Sequence, residues 1–187
     1  MVLVIVLALF CKDADFGLKK WYFSRTKFVT MDKHFEISLQ YRKFLYSILK
    51  NTPKDVLVSI PSGFKNNIWW NIGHTVTVQQ GLLYGLSGLP YTMNMEVAKK
   101  FKKGTVPEEI PTDEEIEAMK GVLFSTAEQA QADYHAGKFK EYSPCETSAK
   151  VTLNTIEEAI IFNGFHEGIH LGTVQALLKA VHHPKAV

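Results

Sequence analysis

Residues 66–95 contain no Asp, Glu, Lys or Arg. The Asn, His, Thr and Gln side chains within this stretch argue against a membrane-spanning helix. A mostly apolar helix without a charged face is not stable in water by itself, so other elements must cover it. We therefore predict a helix over residues 67–86 that lies at the centre of the protein or at an interface.

Three further segments show the 3.6-residue apolar period of amphipathic helices: residues 32–50, 113–136 and 155–181. Asp32 is the predicted N-cap of the first, and the apolar stripe of that helix includes Ile37 and Phe44. Thr112 and Thr155 each precede a Glu by three residues, which is the spacing of a capping box. Four long helices joined by loops predict an all-α four-helix bundle with short accessory helices or loops.

Residues 1–30 differ from the rest of the chain. They hold five basic and two acidic side chains, a net charge of +3, so the remaining chain carries −1 of the total of +2. They open with the apolar run MVLVIVLALF, which is too short to span a bilayer and lacks the features of a signal peptide. Either residues 1–30 extend the domain, or translation normally starts at Met31, and we favour the second interpretation.

Composition limits the partners and the compartment. The chain outside residues 1–30 has no basic patch, so we expect neither nucleic acid nor a membrane as a partner. The two cysteines form no CxxC pair and no disulfide framework, which favours a reducing, cytoplasmic location. We expect residues 1–30 to be an N-terminal extension and residues 31–187 to be one domain.

Residues 166–170 read H-E-G-I-H, which matches the H-E-x-x-H pattern of zinc metalloproteases. Two His four residues apart on a helix share one face, so both imidazoles can reach one metal ion. His166 and His170 interrupt the inward apolar stripe of their helix, where polar groups without partners are costly. Because a shared cation satisfies both rings, the sequence predicts a metal site here.

The third ligand of a zinc protease is missing. A metzincin would place Gly and His at the positions of Thr173 and Ala176, and no Asp or Glu follows Glu167. His182 would lie roughly 18 Å along the helix from His170. A di-iron bundle needs a second E-x-x-H motif, and the chain has none. We conclude that the chain is not a zincin protease.

His74 offers another third ligand, because it lies deep within the uncharged helix. One His from that helix and two from the last helix form a chemically reasonable set. Three neutral imidazoles leave an open coordination position, which is typical of catalytic rather than structural zinc sites. Imidazole also suits Ni, Fe and Cu, so the ligands do not identify the metal.

Two motifs, WNIGHTVTVQQGLLYGLSGLP at residues 70–90 and TLNTIEEAIIFNGFHEGIHLGT at residues 152–173, strongly resemble the DinB-like (DinB/YfiT) superfamily. The resemblance covers roughly residues 31–187. It implies an up-down-down-up four-helix bundle, commonly a homodimer, with a divalent metal held by three His. By motif these ligands are His74, His166 and His170.

The resemblance also implies an activity, because characterised relatives include thiol-dependent transferases and isomerases that use mycothiol or bacillithiol. We expect a metal-dependent transferase or hydrolase that acts on a small molecule. Its cofactors would be a divalent ion (Zn, Ni or Fe) and a low-molecular-weight thiol. The alternative is a non-catalytic metal-binding module for stress response or protein interaction. An open coordination position favours the enzyme, and a sealed one favours the alternative.

Several neighbours of the His pair have two interpretations. Glu167 is a general base, or it orients a ligand or pairs with a charge on the first or third helix; we favour a structural role. Asn163 orients a ligand or contacts substrate, or it is a hydrogen-bonded core residue. Three aromatic side chains either line an apolar pocket or belong to the core: Trp69, Trp70 and Tyr91.

Three glycines follow each other at four-residue intervals on the last helix: Gly164, Gly168 and Gly172. Glycine inside a helix costs on the order of 1 kcal/mol relative to Ala, so a line of three needs a reason. We predict that this face packs closely on a neighbouring helix, either within the chain or from a second copy.

Overall fold

The computed structural model describes the backbone of residues 16–182 and the side chains of residues 31–181. Its elements, in chain order, are α1 (Phe16–Asn51), α2 (Lys54–Val58), α3 (Ile68–Gln80) with a π-helical turn (Gly81–Gly85), α4 (Met95–Lys100), α5 (Asp113–His135), β1 (Cys145–Glu146), β2 (Thr152–Leu153) and α6 (Ile156–His182). The two short strands pair antiparallel. The described chain is otherwise helical, which confirms the predicted all-α class.

The long helices α1, α3, α5 and α6 enclose the core. Helix α1 packs against α5 and α6, and α3 packs against the same two helices from the other side. One apolar cluster lies around Leu45, Ile72 and Leu123, and a second lies around Leu83 and Ala159. The uncharged segment is therefore buried among the other helices, as predicted. Within residues 16–182, no helix is long and apolar enough to cross a membrane.

Local signals in the sequence explain where the central helices begin and end. The Asn67 side chain accepts a hydrogen bond of 2.8 Å from the Trp70 amide and caps α3. The capping box before α5 is complete, because Thr112 and Glu115 each accept a hydrogen bond from the backbone amide of the other. Gly137, at a φ of +66°, follows the end of α5 in the left-handed conformation that favours glycine.

Only half of the capping box predicted for α6 forms. The Thr155 hydroxyl accepts a hydrogen bond of 3.3 Å from the Glu158 amide, as expected. The Glu158 carboxylate accepts a bond of 2.6 Å from the amide of Asn154 instead of that of Thr155. The Glu158 side chain therefore still binds a backbone amide ahead of α6, but that amide belongs to the residue before the predicted one.

Helix α1 begins at Phe16, which corrects the predicted start at Asp32. Residues 18–31 contain neither Pro nor Gly, so nothing in that segment stops a helix. Asp32 is not an N-cap: its Oδ1 accepts a hydrogen bond of 2.7 Å from His135 Nε2 on α5. The side chains of the predicted N-terminal extension, residues 1–30, lie outside the described part, and its status stays a prediction.

The predicted apolar stripe of α1 is wrong at two positions. Ile37 and Phe44 are 54% and 58% exposed. The inward face instead carries the polar residues Ser38 and Arg42, which are buried. They face inward because both bind Glu167 of α6. An apolar period cannot show that a charged pair belongs to the core.

The line of three glycines on α6 has no close neighbour among the described residues. A Cβ at any of the three positions would find no side chain or other segment of the described chain within 4 Å. Within that part of the chain, the prediction of close packing on a neighbouring helix is therefore wrong. Three exposed apolar side chains follow the same helix: Ile161, Phe165 and Ile169. Packing against a second copy, and with it the homodimer, stays a prediction.

Candidate metal centre

The three predicted ligands meet where α3 and α6 pack together. His74 comes from the middle of α3, and His166 and His170 lie one turn apart on α6. One ring nitrogen from each residue can be chosen so that all three lie within 4.8 Å of one another. The ring centroids are 4.5–5.3 Å apart. The fold therefore brings together three side chains that are far apart in sequence.

His74 is held from two sides. Its Nδ1 lies 2.6 Å from the carbonyl oxygen of Phe101, so this nitrogen carries the proton and donates. The Trp70 ring stacks on the imidazole at a centroid distance of 4.5 Å and an angle of 14°. In the neutral ring, Nε2 then keeps its lone pair for a metal ion.

His170 is oriented by an amide chain along α3. Its Nδ1 donates a hydrogen bond of 2.8 Å to Oδ1 of Asn71. The Nδ2 of Asn71 in turn donates a bond of 2.7 Å to the carbonyl oxygen of Asn67, which fixes which end of the amide faces the imidazole. As in His74, the bond at Nδ1 leaves the Nε2 lone pair of His170 available.

The third ring shows that the donor set fits a metal. Nδ1 of His166 is buried and has no hydrogen-bond partner among the described residues. A buried polar atom without a partner costs about 1–3 kcal/mol. With two imidazoles that present a free Nε2 beside it, a borderline cation such as Zn²⁺ suits the three nitrogens. The residues present therefore fit a divalent ion.

All three rings are held in the neutral form. Burial lowers the pKa of His166 to about 3, and the neighbouring His170 and His74 add to this effect. Burial, with a smaller effect of His74, lowers the pKa of His170 to about 4. Burial also lowers the pKa of His74, against the opposing hydrogen bond to Phe101. Neutral imidazole is the form that binds metals.

These lowered pKa values predict how the stability of the metal-free protein depends on pH. Below about pH 6.5 the unfolded chain protonates these histidines while the folded protein keeps them neutral. The free energy of unfolding should therefore fall as the pH drops toward 4, with no such loss above 6.5. Urea unfolding of chelator-treated protein measures this dependence. His166→Ala should flatten it and His135→Ala should not; an unchanged slope in His166→Ala would contradict the assignment.

Glu167 points away from the His cluster. Its side chain is 1% exposed. Oε1 accepts hydrogen bonds from Nε of Arg42, at 3.0 Å, and from Nη2 of the same residue. Oε2 accepts one of 2.9 Å from the Ser38 hydroxyl. The carboxylate thus pairs with a charge on α1, which agrees with the structural interpretation and not with a general base.

Asn163 is 4% exposed, and its Oδ1 has no hydrogen-bond partner among the described residues. The interpretation as a core residue satisfied through that oxygen is therefore not supported. Asn163 lies one turn before His166, whose Nδ1 also lacks a partner. Two unsatisfied atoms one turn apart on α6 make this part of the helix the natural place for a bound group.

The cluster is open on the side of α6. His74 is 6% exposed, whereas His166 and His170 are only half-buried. On the side of α3, the cluster is covered by Trp70 and Phe101, which also line a cavity of about 670 Å³. Among the described residues, the two rings of α6 are therefore the part of the cluster that retains exposure to solvent.

The aromatic residues divide between the two predicted roles. Trp69 and Trp70 line the cavity, although both are also buried in the core. Tyr91 does not line it, and it lies over Gly81 and Gly85 of the π-helical turn, within 3.4 Å of where a Cβ would stand on either glycine. The two tryptophans thus fit both interpretations, and Tyr91 packs against the core.

Sequence reasoning missed the residues that orient the ligands. Asn71 has a usable signal, because it precedes His74 by three residues and so lies on nearly the same helix face. The sequence signal of Arg42 is weaker: it is a charged residue within an apolar period. Phe101 has none, because its contribution to His74 is a backbone carbonyl that every residue has.

Comparison with known proteins agrees with this geometry. A family model described as the DinB superfamily matches residues 40–174, a range that contains α3, α5 and all three histidines. No curated protein matches the chain. Because the match covers most of the sequence, including every residue of the candidate metal centre, the chain belongs to the DinB superfamily.

Proposed function

We propose that the protein holds one divalent metal ion through His74, His166 and His170 and is a metal-dependent enzyme for a small molecule. The observation that carries this proposal is the hydrogen bonding of the three rings. Two imidazoles are held through Nδ1 by oxygen acceptors, and the third has a buried Nδ1 without a partner in the described chain. The bonds at Nδ1 of His74 and His170 are of the kind that orients histidines as metal ligands, and the unpaired atom of His166 leaves a polar group for an ion to satisfy.

The reaction class that we propose is thiol-dependent transfer or isomerisation. A divalent ion bound by three protein ligands keeps a position for a further ligand and lowers the pKa of a thiol or water molecule there. The chain itself supplies orientation: the Phe101 carbonyl and Asn71 fix two rings, and Trp70 covers one side of His74. The half-buried rings of α6 leave the approach from solvent open.

The second candidate is a metal-binding module without catalysis. One observation favours it: Glu167, the carboxylate between the two His of α6, is engaged by Arg42 and Ser38 and cannot serve as a general base in this arrangement. A thiol substrate that ionises at the metal does not need such a base, whereas a hydrolase would need one to activate water. The observation therefore argues more strongly against a hydrolase than against the proposed thiol-dependent enzyme.

Metal content tests the site. Purified wild-type protein, reconstituted with Zn, Ni or Fe, is expected to hold about one ion per chain by elemental analysis. His166→Ala should weaken binding by more than about 100-fold, because losing a residue that only orients a ligand already costs roughly 10–100-fold. His135→Ala, which changes an exposed histidine on α5, is the matched control. Wild-type protein without stoichiometric metal after reconstitution would contradict the proposal.

A thiol-transfer screen then separates the two candidates. Metal-loaded wild-type protein is mixed with a low-molecular-weight thiol and a panel of electrophiles, and thiol consumption is followed against the His166→Ala variant. Consumption that depends on the loaded site supports the enzyme. Full metal loading with thiol consumption equal to that of His166→Ala across the panel would favour the non-catalytic module.

A further inference from the structure

A cavity of about 670 Å³ lies between α3, α4, the loop after α4 and α5. Its walls are mostly aromatic and aliphatic side chains: Trp69, Trp70, Met93, Val97, Phe101, Met119 and Val122. Its volume falls within the range of about 300–1,000 Å³ that is typical of sites for small molecules. Among the described residues that line the cavity, none is a histidine, so it is separate from the metal centre.

Four Glu and two Lys line this cavity and give its rim a net charge of −2; among the described residues, Glu108 has no ion-pair partner. Lys99 Nζ lies 2.7 Å from a Glu96 carboxylate oxygen. Lys100 Nζ lies 3.2 Å from Glu109 and 3.2 Å from Glu115. A charged ligand would have to compete with these pairs and would lose its own hydration on entry. The apolar wall therefore disfavours any charged occupant, and the rim disfavours anions most.

The polar group within the wall is also satisfied. Nε1 of Trp70 donates a hydrogen bond of 2.9 Å to the Thr105 hydroxyl. The single hydrogen of the same hydroxyl is donated toward the backbone carbonyls of Lys100 and Lys102, which both lie 2.9 Å from the oxygen. The indole thus presents its ring, and not its N–H, to an occupant. An apolar surface with satisfied polar groups gains most from a ligand that brings apolar area and few hydrogen bonds.

We propose that this cavity is a binding site for an uncharged, largely apolar small molecule with one or two aromatic rings. The occupant rests against Trp70 and Phe101. These two residues also contact His74 on their other side, through the ring stack and the carbonyl hydrogen bond. The site does not require a metal ion, and the proposal is independent of the proposed function.

A matched pair of fluorescent probes tests the proposal. N-phenyl-1-naphthylamine is neutral, and 8-anilinonaphthalene-1-sulfonate has the same rings with one added sulfonate. In titrations of the wild-type protein, the neutral probe is expected to bind saturably with one site per chain. The sulfonate should bind at least about tenfold more weakly. Equal affinity for both probes would overturn the selection against anions, and absence of saturable binding would overturn the site.

Variants locate the probe. Ala118 lines the cavity from an exposed position on α5, so Ala118→Trp adds a bulky side chain there without replacing a buried core residue. It should weaken binding of the neutral probe at least tenfold. Ala132→Trp, on an exposed position of the same helix outside the cavity, should leave it unchanged. Val97→Trp provides a second filling variant in case the first does not fold. Unaltered binding in a folded filling variant would place the probe elsewhere and overturn the proposal.

Chelator-treated protein separates this proposal from the proposed function. If the neutral probe binds metal-free protein and the filling variants weaken this binding, the proposal of a cavity site is supported. This result is valid even when the reconstituted protein shows no stoichiometric metal. If metal binds through the three histidines and the probe does not bind, this proposal alone fails.

Discussion

Glu167→Ala is expected to lower the free energy of unfolding by about 3–5 kcal/mol, the usual cost of removing one partner of a buried ion pair. Arg42 is 0% exposed, and the Glu167 carboxylate is the charge that its guanidinium faces. Without that carboxylate the guanidinium stays buried with its positive charge unpaired, and the Ser38 hydroxyl also loses its acceptor. Urea unfolding of wild type and variant, with equal m-values, measures the difference.

Two further variants show whether the effect comes from the unpaired charge. The double variant Arg42→Met with Glu167→Leu replaces the pair by apolar side chains and should recover most of the lost stability, because such replacements are often close to neutral. Glu167→Gln should keep its metal content, because the carboxylate faces α1 and not the His cluster. A loss below about 1 kcal/mol in Glu167→Ala would mean that the guanidinium reaches water or another acceptor.

Gly73→Ala is expected to damage both the fold and the metal site. A Cβ at this position would stand 2.5 Å from Cγ and Cδ1 of the Phe101 ring, which is 3% exposed and packs edge-on against Trp69. Overpacking of this kind costs about 1–3 kcal/mol. Displacing Phe101 also moves the carbonyl that holds His74, so metal affinity should fall by roughly 10–100-fold.

Gly121→Ala is the matched control, because it changes a glycine inside α5 where a Cβ would meet nothing within 4 Å. It should raise stability by about 0.5–1 kcal/mol, the usual gain from replacing a helical glycine, and leave metal binding unchanged. Chemical denaturation and a metal competition assay compare the two variants. If a folded Gly73→Ala protein binds metal as tightly as wild type, the hydrogen bond to the Phe101 carbonyl is not needed to position His74.

The elements that could be predicted are those with signals in neighbouring residues. Thr112 with Glu115 marks the start of α5, Asn67 caps α3, and the uncharged stretch indicates a buried helix. The resemblance to the DinB-like superfamily implied that His74 joins the His pair of α6, and the three side chains do meet. The other features depend on spacing within a helix, which the chain itself contains.

The features that could not be predicted depend on contacts between distant segments. Helix α1 carries Arg42 on its inward face because Glu167, on another helix, faces it. Within α1 alone, the charged Arg42 is expected to be exposed and the apolar Phe44 to be buried, which is the reverse of what the fold shows. The loop after α4 presents the Phe101 carbonyl to His74 because Gly73 leaves room for the ring, a fit that only the folded chain contains.

The stack of Trp70 on His74 gives the protein a native optical reporter. The indole ring lies nearly parallel to the imidazole at 4.5 Å, so any positive charge on that imidazole, from a proton or a coordinated ion, acts on the electron-rich face of the indole. Indole absorption and emission depend on the local electric field. Ion binding at the cluster should therefore change the ultraviolet absorption and emission of the unlabelled chain.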